Sequence, residues 1–186
     1  VLGVDQGGGV VPTISRLGHV GIHVRDLERS KAFYTKVLGL SVTDEDEEMG
    51  MVFLSARPEV EHHELLLCRG RTGDSDVRVV QQISFRCPTL EDVIGFRERL
   101  ADAGVELDMV VSHGNAIGIY FYDPDHNRCE VYWGTGLPAR QPYLDDVDLA
   151  EPADAIMTKV RQSVATHGAE GWVNQDFLAK QDLTSG

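Results

Sequence analysis

No apolar run in this chain approaches the roughly 18 residues that a membrane-spanning helix needs, and no basic patch followed by an apolar core opens it. The expectation from both absences is an intracellular, cytoplasmic chain with no membrane partner. Cysteine is scarce: Cys68, Cys87 and Cys129 form an odd set without C-x-x-C spacing. All three stand in apolar strand contexts, so reduced, packed thiols are expected rather than a disulfide framework. Positive charge is short as well, with 17 Lys and Arg against 30 Asp and Glu and a net charge of −13. The basic residues are scattered, and a field of that sign repels phosphate backbones, which excludes nucleic acid and anionic membranes as partners.

What is present is the composition of an ordinary globular protein, 186 residues with 42% hydrophobic and 25% charged, enough for one domain with trimmings. The stretch around which the rest is organised is I-Y-F-Y-D-P-D-H-N-R-C-E-V-Y-W-G, residues 119–134. Two apolar runs flank Asp123-Pro124-Asp125-His126-Asn127, a cluster of turn formers, so a β-hairpin with a five-residue connection is predicted. Glu130 is the odd residue there, since a carboxylate among apolar side chains is costly to bury unless it meets a cation or a metal.

Residues 1–13 hold a triple glycine and no periodicity and read as a flexible leader. From there, residues 17–24 alternate as a strand, with His19, Gly21 and His23 on one face. Asp26 caps a helix that ends at Gly39, and strands are predicted over 40–43, 51–55 and 62–68. The acidic run Asp44-Glu45-Asp46-Glu47-Glu48 reads as a solvated loop between strands. The pattern then starts again: a strand over 79–87, a helix over 90–103 capped by Thr89 and closed by Gly104, then strands over 105–111, 117–122 and 129–133.

This is βαβββ twice, an internal repeat with modules at 14–70 and 77–136. A shift of 63 residues (82 − 19) lays His19 on Gln82, and at the far ends of the two units, 66 residues apart (130 − 64), Glu64-Leu65-Leu66-Leu67 is matched to Glu130-Val131-Tyr132-Trp133. The fold class expected is α+β, the two modules pairing into an open, cleft-forming barrel with a C-terminal helical extension over 137–186. Matched positions of the repeat then offer His19, Gln82, His63 or Glu64, and Glu130 to one space. Imidazole and oxygen donors with open coordination positions suit Fe(II), Mn, Ni or Zn.

The motifs G-H-V-G-I-H-V-R-D-L-E-R-S-K-A-F-Y-T-K-V-L-G-L and Y-F-Y-D-P-D-H-N-R-C-E-V-Y resemble the vicinal oxygen chelate superfamily, over about residues 17–134. That superfamily includes glyoxalase I, bleomycin-resistance proteins, extradiol ring-cleavage dioxygenases and methylmalonyl-CoA epimerase, and the chain looks most like the type I extradiol catechol dioxygenases. The resemblance implies a divalent metal, Fe(II) before Mn, Ni, Co or Zn, held by His19, Gln82 and Glu130, with Glu64 a candidate fourth ligand. It implies an aromatic diol and O2 as substrates, a homodimer, and catalytic roles for His63 as the proton-transfer residue and for His113 and Tyr120 as hydrogen-bonding groups. Gln82 departs from the family pattern, which has a second His there, and a neutral amide oxygen is the weaker ligand. His126 departs from the usual D-P-D-G-N turn, although His tolerates positive φ better than most residues. A glyoxalase- or epimerase-like lyase or isomerase, with His19, Glu64, Gln82 and Glu130 as ligands, is the alternative, and a binding protein of the resistance type is another.

Beyond Gly134, residues 137–152 are Pro- and Asp-rich and read as a surface linker. It leads to a helix over 153–165 with an Ile156, Val160, Val164 stripe, and a second amphipathic piece follows over 172–178. Such a stripe has to dock on something, its own barrel or a second subunit.

Overall fold

The computed structural model describes residues 17–73 and 80–180, and the chain divides into two compact units, Val1–Thr72 and Gly73–Gly186. The leader over 1–13 and the start of each expected module lie outside the described residues.

In the first unit, the alternating apolar residues form β1 (Val20–Val24). Asp26 then accepts the Arg29 N–H at 2.9 Å and opens α1 (Leu27–Ala32), satisfying one of the amide donors a helix start leaves unpaired. The chain continues through a π-helical turn, Phe33–Val37, and leaves it at Gly39 with φ 79°, a conformation that glycine adopts without a side-chain clash. Strands β2 (Ser41–Asp46), β3 (Met51–Ser55) and β4 (Leu65–Arg69) complete a four-stranded sheet of order β1-β4-β3-β2. β1 is parallel to β4 and the other pairs are antiparallel. Ile22, Val24, Val52, Leu54, Leu65 and Leu67 are buried on the face that α1 covers at β3 and β4, each worth about 1.5–3 kcal/mol of removal from water. The opposite face carries Gly21, His23, Phe53 and Leu66.

The acidic run is not a loop. Asp44, Glu45 and Asp46 end β2, and only the following residues turn. They are exposed on an edge strand, where charge discourages pairing with another chain. The solvated character was legible, while the strand came from pairing with β3.

The second unit repeats the plan with β5 (Ile83–Arg86), α2 (Leu90–Asp102), β6 (Leu107–Ser112), β7 (Ala116–Tyr122) and β8 (Arg128–Gly134). Thr89 and Asp92 form a reciprocal capping box at the start of α2. The hairpin between β7 and β8 is built as its sequence predicts: Asp123 Oδ1 accepts the N–H groups of Asp125 and Asn127 at 2.9 and 2.7 Å, and His126 takes φ 63°.

The extension departs from expectation. The stretch read as a surface linker contains β9 (Tyr143–Asp146), which pairs antiparallel with β6. It is followed by α3 (Ala153–His167), β10 (Trp172–Val173) and α4 (Gln175–Lys180). The sheet therefore runs β10-β9-β6-β7-β8-β5. Tyr143 is 1% exposed; four residues between proline and aspartates show too short an alternation to be read as a strand. The fold is α+β: βαβββ modules with unclosed sheets, and a C-terminal helical extension.

Register corrects the detailed repeat. Val20 pairs with Leu65 and Gly21 with Leu66; Ile83 pairs with Cys129 and Ser84 with Glu130. The first-unit counterpart of Glu130 is thus Leu66, not Glu64. The slip of two residues keeps the face but moves the carboxylate roughly 7 Å along the strand. Matching the letters hid it because the connections preceding these strands, 56–64 and 123–127, differ in length.

Candidate metal centre and its neighbours

In the second unit, one row of register partners crosses four strands: Ser84 on β5, Glu130 on β8, Tyr120 on β7 and Met109 on β6. Partners in register point to the same side of a sheet. α2 packs on β7 and β8, while this row carries the polar side chains. Glu130 is 5% exposed, yet its hydrogen-bond partners are neutral: Ser84 Oγ donates to Oε2 at 2.6 Å and Gln82 Nε2 at 3.3 Å. Gln82 Nε2 also donates to Ser84 Oγ at 2.8 Å, so Oε1 is the atom Gln82 has for a cation. Gly118 lies alongside; a Cβ there would stand 2.7 Å from Glu130 Oε1 and 3.2 Å from the Tyr132 Cβ. The absent side chain is what gives the carboxylate its room. A buried carboxylate held by a hydroxyl and an amide fits the place of a metal ligand, since burial of a charge without a compensating cation is expensive.

Tyr120 continues the row, 6% exposed. Its hydroxyl lies 3.0 Å from His113 Nε2, and His113 Nδ1 lies 2.9 Å from the carbonyl of Tyr143. A carbonyl only accepts, so Nδ1 carries the proton; in the neutral ring Nε2 then accepts and the Tyr120 hydroxyl donates. Burial first, and then the charge of Glu130, push the Tyr120 phenol well above its ordinary range, so the hydroxyl keeps its proton. The Arg128 guanidinium sits 4.0 Å over the Tyr120 ring and is held there by Asp108, Nε to Oδ2 at 2.7 Å.

In the first unit, His19 is exposed just before β1. Its ring centroid lies 4.2 Å from that of His63. The His63 imidazole is held below its usual range by burial, then by the His19 and His62 rings. His62 Nδ1 and His63 Nδ1 are 2.9 Å apart, and the Phe53 ring meets both imidazoles edge-on. Glu64 is committed elsewhere. Arg57 donates to its Oε1 through Nε at 3.2 Å and Nη2 at 2.8 Å, and the Ala56 N–H and Ser55 Oγ donate to its Oε2. Burial alone would raise its carboxyl; Arg57, the Ala56 amide and Ser55 outweigh that and hold it below the carboxylate range.

The structure thus brings Gln82, Glu130, Tyr120 and His113 together on one sheet face, and His19 with His63 in the other unit. Ser84, Gly118, Arg128 and Tyr143 join the site unannounced by the sequence reading. Ser84 was within reach, two residues from Gln82 and hence on its face. Nothing local marks Tyr143.

Residues 16–131 match the family model for the Glyoxalase/Bleomycin resistance protein/Dioxygenase superfamily. The chain belongs to that superfamily. It is 31% identical over 121 residues to biphenyl-2,3-diol 1,2-dioxygenase 3 of Rhodococcus globerulus, covering 62% of each chain. It is 30% identical over 130 residues to the ethylmalonyl-CoA/methylmalonyl-CoA epimerase of Cereibacter sphaeroides, covering 63% of this chain and 96% of the epimerase. Among solved structures, the fosfomycin resistance protein FosX of Listeria monocytogenes, complexed with Mn(II) and sulfate, matches with a TM-score of 0.53 at 25% identity over 66% of this chain and 93% of FosX. The chain spans 38% to 62% of the length of the dihydroxy-aromatic dioxygenases that head its curated relatives. No helix among the described residues is long and apolar enough to cross a membrane.

Proposed function

We propose that the chain is an extradiol ring-cleaving dioxygenase that works with Fe(II) and O2 on a catechol-type aromatic diol, His19, Gln82 and Glu130 holding the metal. The observation that carries the reading is the row in which a buried carboxylate, hydrogen-bonded by the neutral Ser84 and Gln82, adjoins the hydrogen-bonded Tyr120–His113 pair. When bound, the metal supplies Lewis-acid and template chemistry, holding the diol oxygens and lowering the pKa of their hydroxyls.

The protein's own groups do the remaining work. Glu130 supplies the negative charge of the ligand set, and Gln82 Oε1 a neutral oxygen. His63, kept neutral, accepts the proton that leaves the diol. The Tyr120 phenol keeps its proton, donates it to His113 Nε2 in the substrate-free chain, and would turn that one hydrogen bond toward oxygen charge as it develops on the diol. A homodimer belongs to the same proposal.

The test is oxygen uptake by anaerobically Fe(II)-loaded protein offered a panel of catechols. Uptake with yellow ring-opened products is expected, and Glu130→Gln should lower kcat/KM by about 100-fold or more, in line with loss of a metal ligand's contribution. Confirmed iron loading with no uptake across the panel would end this reading.

A second reading has its own support. The chain spans nearly the whole of the epimerase and of FosX, whereas it covers only part of the dioxygenases. A metal-dependent lyase or isomerase would move a proton beside a carbonyl without consuming O2, so the same oxygen measurement separates the two. The four-ligand form of that reading is weakened by Glu64, which Arg57 already engages.

A further inference from the structure

The segment beyond β8 is the feature of this chain that neither the module plan nor the proposed reaction absorbs. It adds β9 to the free edge of β6, and its contacts converge on the His113–Tyr120 pair from two directions. From β9, the Tyr143 carbonyl accepts a hydrogen bond from His113 Nδ1–H. The Gln141 side chain ties the same strand to the His113 backbone, Nε2 donating to the His113 carbonyl at 2.9 Å while Oε1 accepts the Tyr143 N–H at 3.1 Å. From α4, Phe177 is 7% exposed and packs in one cluster with Tyr120 and Val111, flanked by Met109 and Leu144. Val111 stands opposite Gly118, and Met109 opposite Tyr120, in the register of β6 and β7. Phe177 therefore lies on the Glu130 side of the sheet, in the same apolar cluster as the tyrosine.

β9 is itself held from the extension. The Tyr143 hydroxyl meets Ser163 Oγ on α3 at 2.6 Å, Ser163 donates to Asp145 Oδ2 at 2.9 Å, and Asn174 Nδ2 donates to Asp145 Oδ1 at 2.9 Å. Since the serine hydrogen goes to the carboxylate, the tyrosine hydroxyl is the donor to Ser163. These bonds fix where the Tyr143 carbonyl points.

We propose that the C-terminal segment is a positioning element for the site: the Tyr143 carbonyl selects the Nδ1-protonated tautomer of His113, and Phe177 seats the Tyr120 ring so that its hydroxyl reaches the vacant Nε2. The proposal rests on the reading that His113 and Tyr120 serve the chemistry, but its test does not require turnover. An imidazole with its proton on Nε2 would leave Nδ1 and the Tyr143 carbonyl as two acceptors facing each other, while the Tyr120 hydroxyl would have to turn round and accept.

The experiment is long-range 1H–15N NMR of the full, metal-free chain labelled at histidine, with His113 assigned by loss of its signal in His113→Gln. In the wild type, His113 is expected as the Nδ1–H tautomer with an unprotonated, hydrogen-bonded Nε2. Tyr120→Phe should move the Nε2 resonance downfield, toward an unbonded imine nitrogen. Phe177→Ala should move it in the same direction, and Phe177→Leu should restore it. The double change Ser163→Ala with Asn174→Ala should raise the Nε2–H population. A wild-type His113 protonated at Nε2, or in even exchange between tautomers, overturns the proposal without any variant. So does a folded Phe177→Ala whose His113 resonances stay at wild-type positions. An enzyme inert toward every diol would remove the reaction proposed above and leave these spectra to decide this inference by themselves.

Discussion

At the scale of single residues, the structure separates two carboxylates that look alike in the sequence. Glu130 is buried and has neutral partners, whereas Glu64 is caught by Arg57, Ala56 and Ser55. The depressed Glu64 carboxyl has a consequence for stability. Its contribution is complete above the ordinary carboxylate range and is lost as pH falls through the depressed folded value. Glu64→Gln should therefore flatten the decline of the thermal midpoint between about pH 6 and pH 3, and an unchanged decline would mean that Arg57 contributes nothing there. Glycine 118 makes a sharper prediction. A methyl 2.7 Å from Glu130 Oε1 overpacks the row, so Gly118→Ala should cost about 1–3 kcal/mol in chemical denaturation and weaken Mn(II) binding measured by calorimetry. Burial, and then Asp92, push the Cys87 thiol up to about 11. Alkylation at pH 8 should reach the half-exposed Cys68 first, with Cys87 modified only on unfolding or in strong base.

At the scale of elements, much was legible because its causes are local. The turn over 123–127 could be read from Asp, Pro and Asn, and the helix starts from Asp26 and Thr89, since caps and turns are made by side chains bonding their own neighbourhood. The Thr89–Asp92 box should be worth about 1 kcal/mol. Thr89→Ala is expected to lower stability by that amount in urea melts, with Thr89→Ser nearly neutral. Element pairing was less legible. The alternation in β4 and β8 is compatible with registers two residues apart, because both put the same faces inward. Hence Glu64 was matched to Glu130 when the ladder places Leu66 there. β9 escaped the sequence reading because four residues beside aspartates have little pattern of their own; they become a strand by satisfying the open amides and carbonyls of β6.

At the scale of the whole molecule, the proposed ligands His19, Gln82 and Glu130 are distant from one another in the chain. A metal bound that way stabilises only the state in which all three are present together. Saturation with Mn(II) at about 100 times Kd should raise stability by about 2.7 kcal/mol, and His19→Ala and Glu130→Gln should each abolish the rise. A rise that survives His19→Ala would place the ion among second-unit residues alone. The net charge of −13 favours cation entry and makes this affinity fall with added salt.

Strand periodicity, turn chemistry, capping and the duplicated βαβββ order were determined by the sequence alone, since each depends on residues within a few positions of one another. Which carboxylate sits opposite Ser84, which one Arg57 captures, and that Tyr143 and Phe177 serve His113 and Tyr120 were decided only in three dimensions. Those outcomes depend on pairing and packing between segments far apart in the chain, where the free energy belongs to the contact and neither partner carries it by itself.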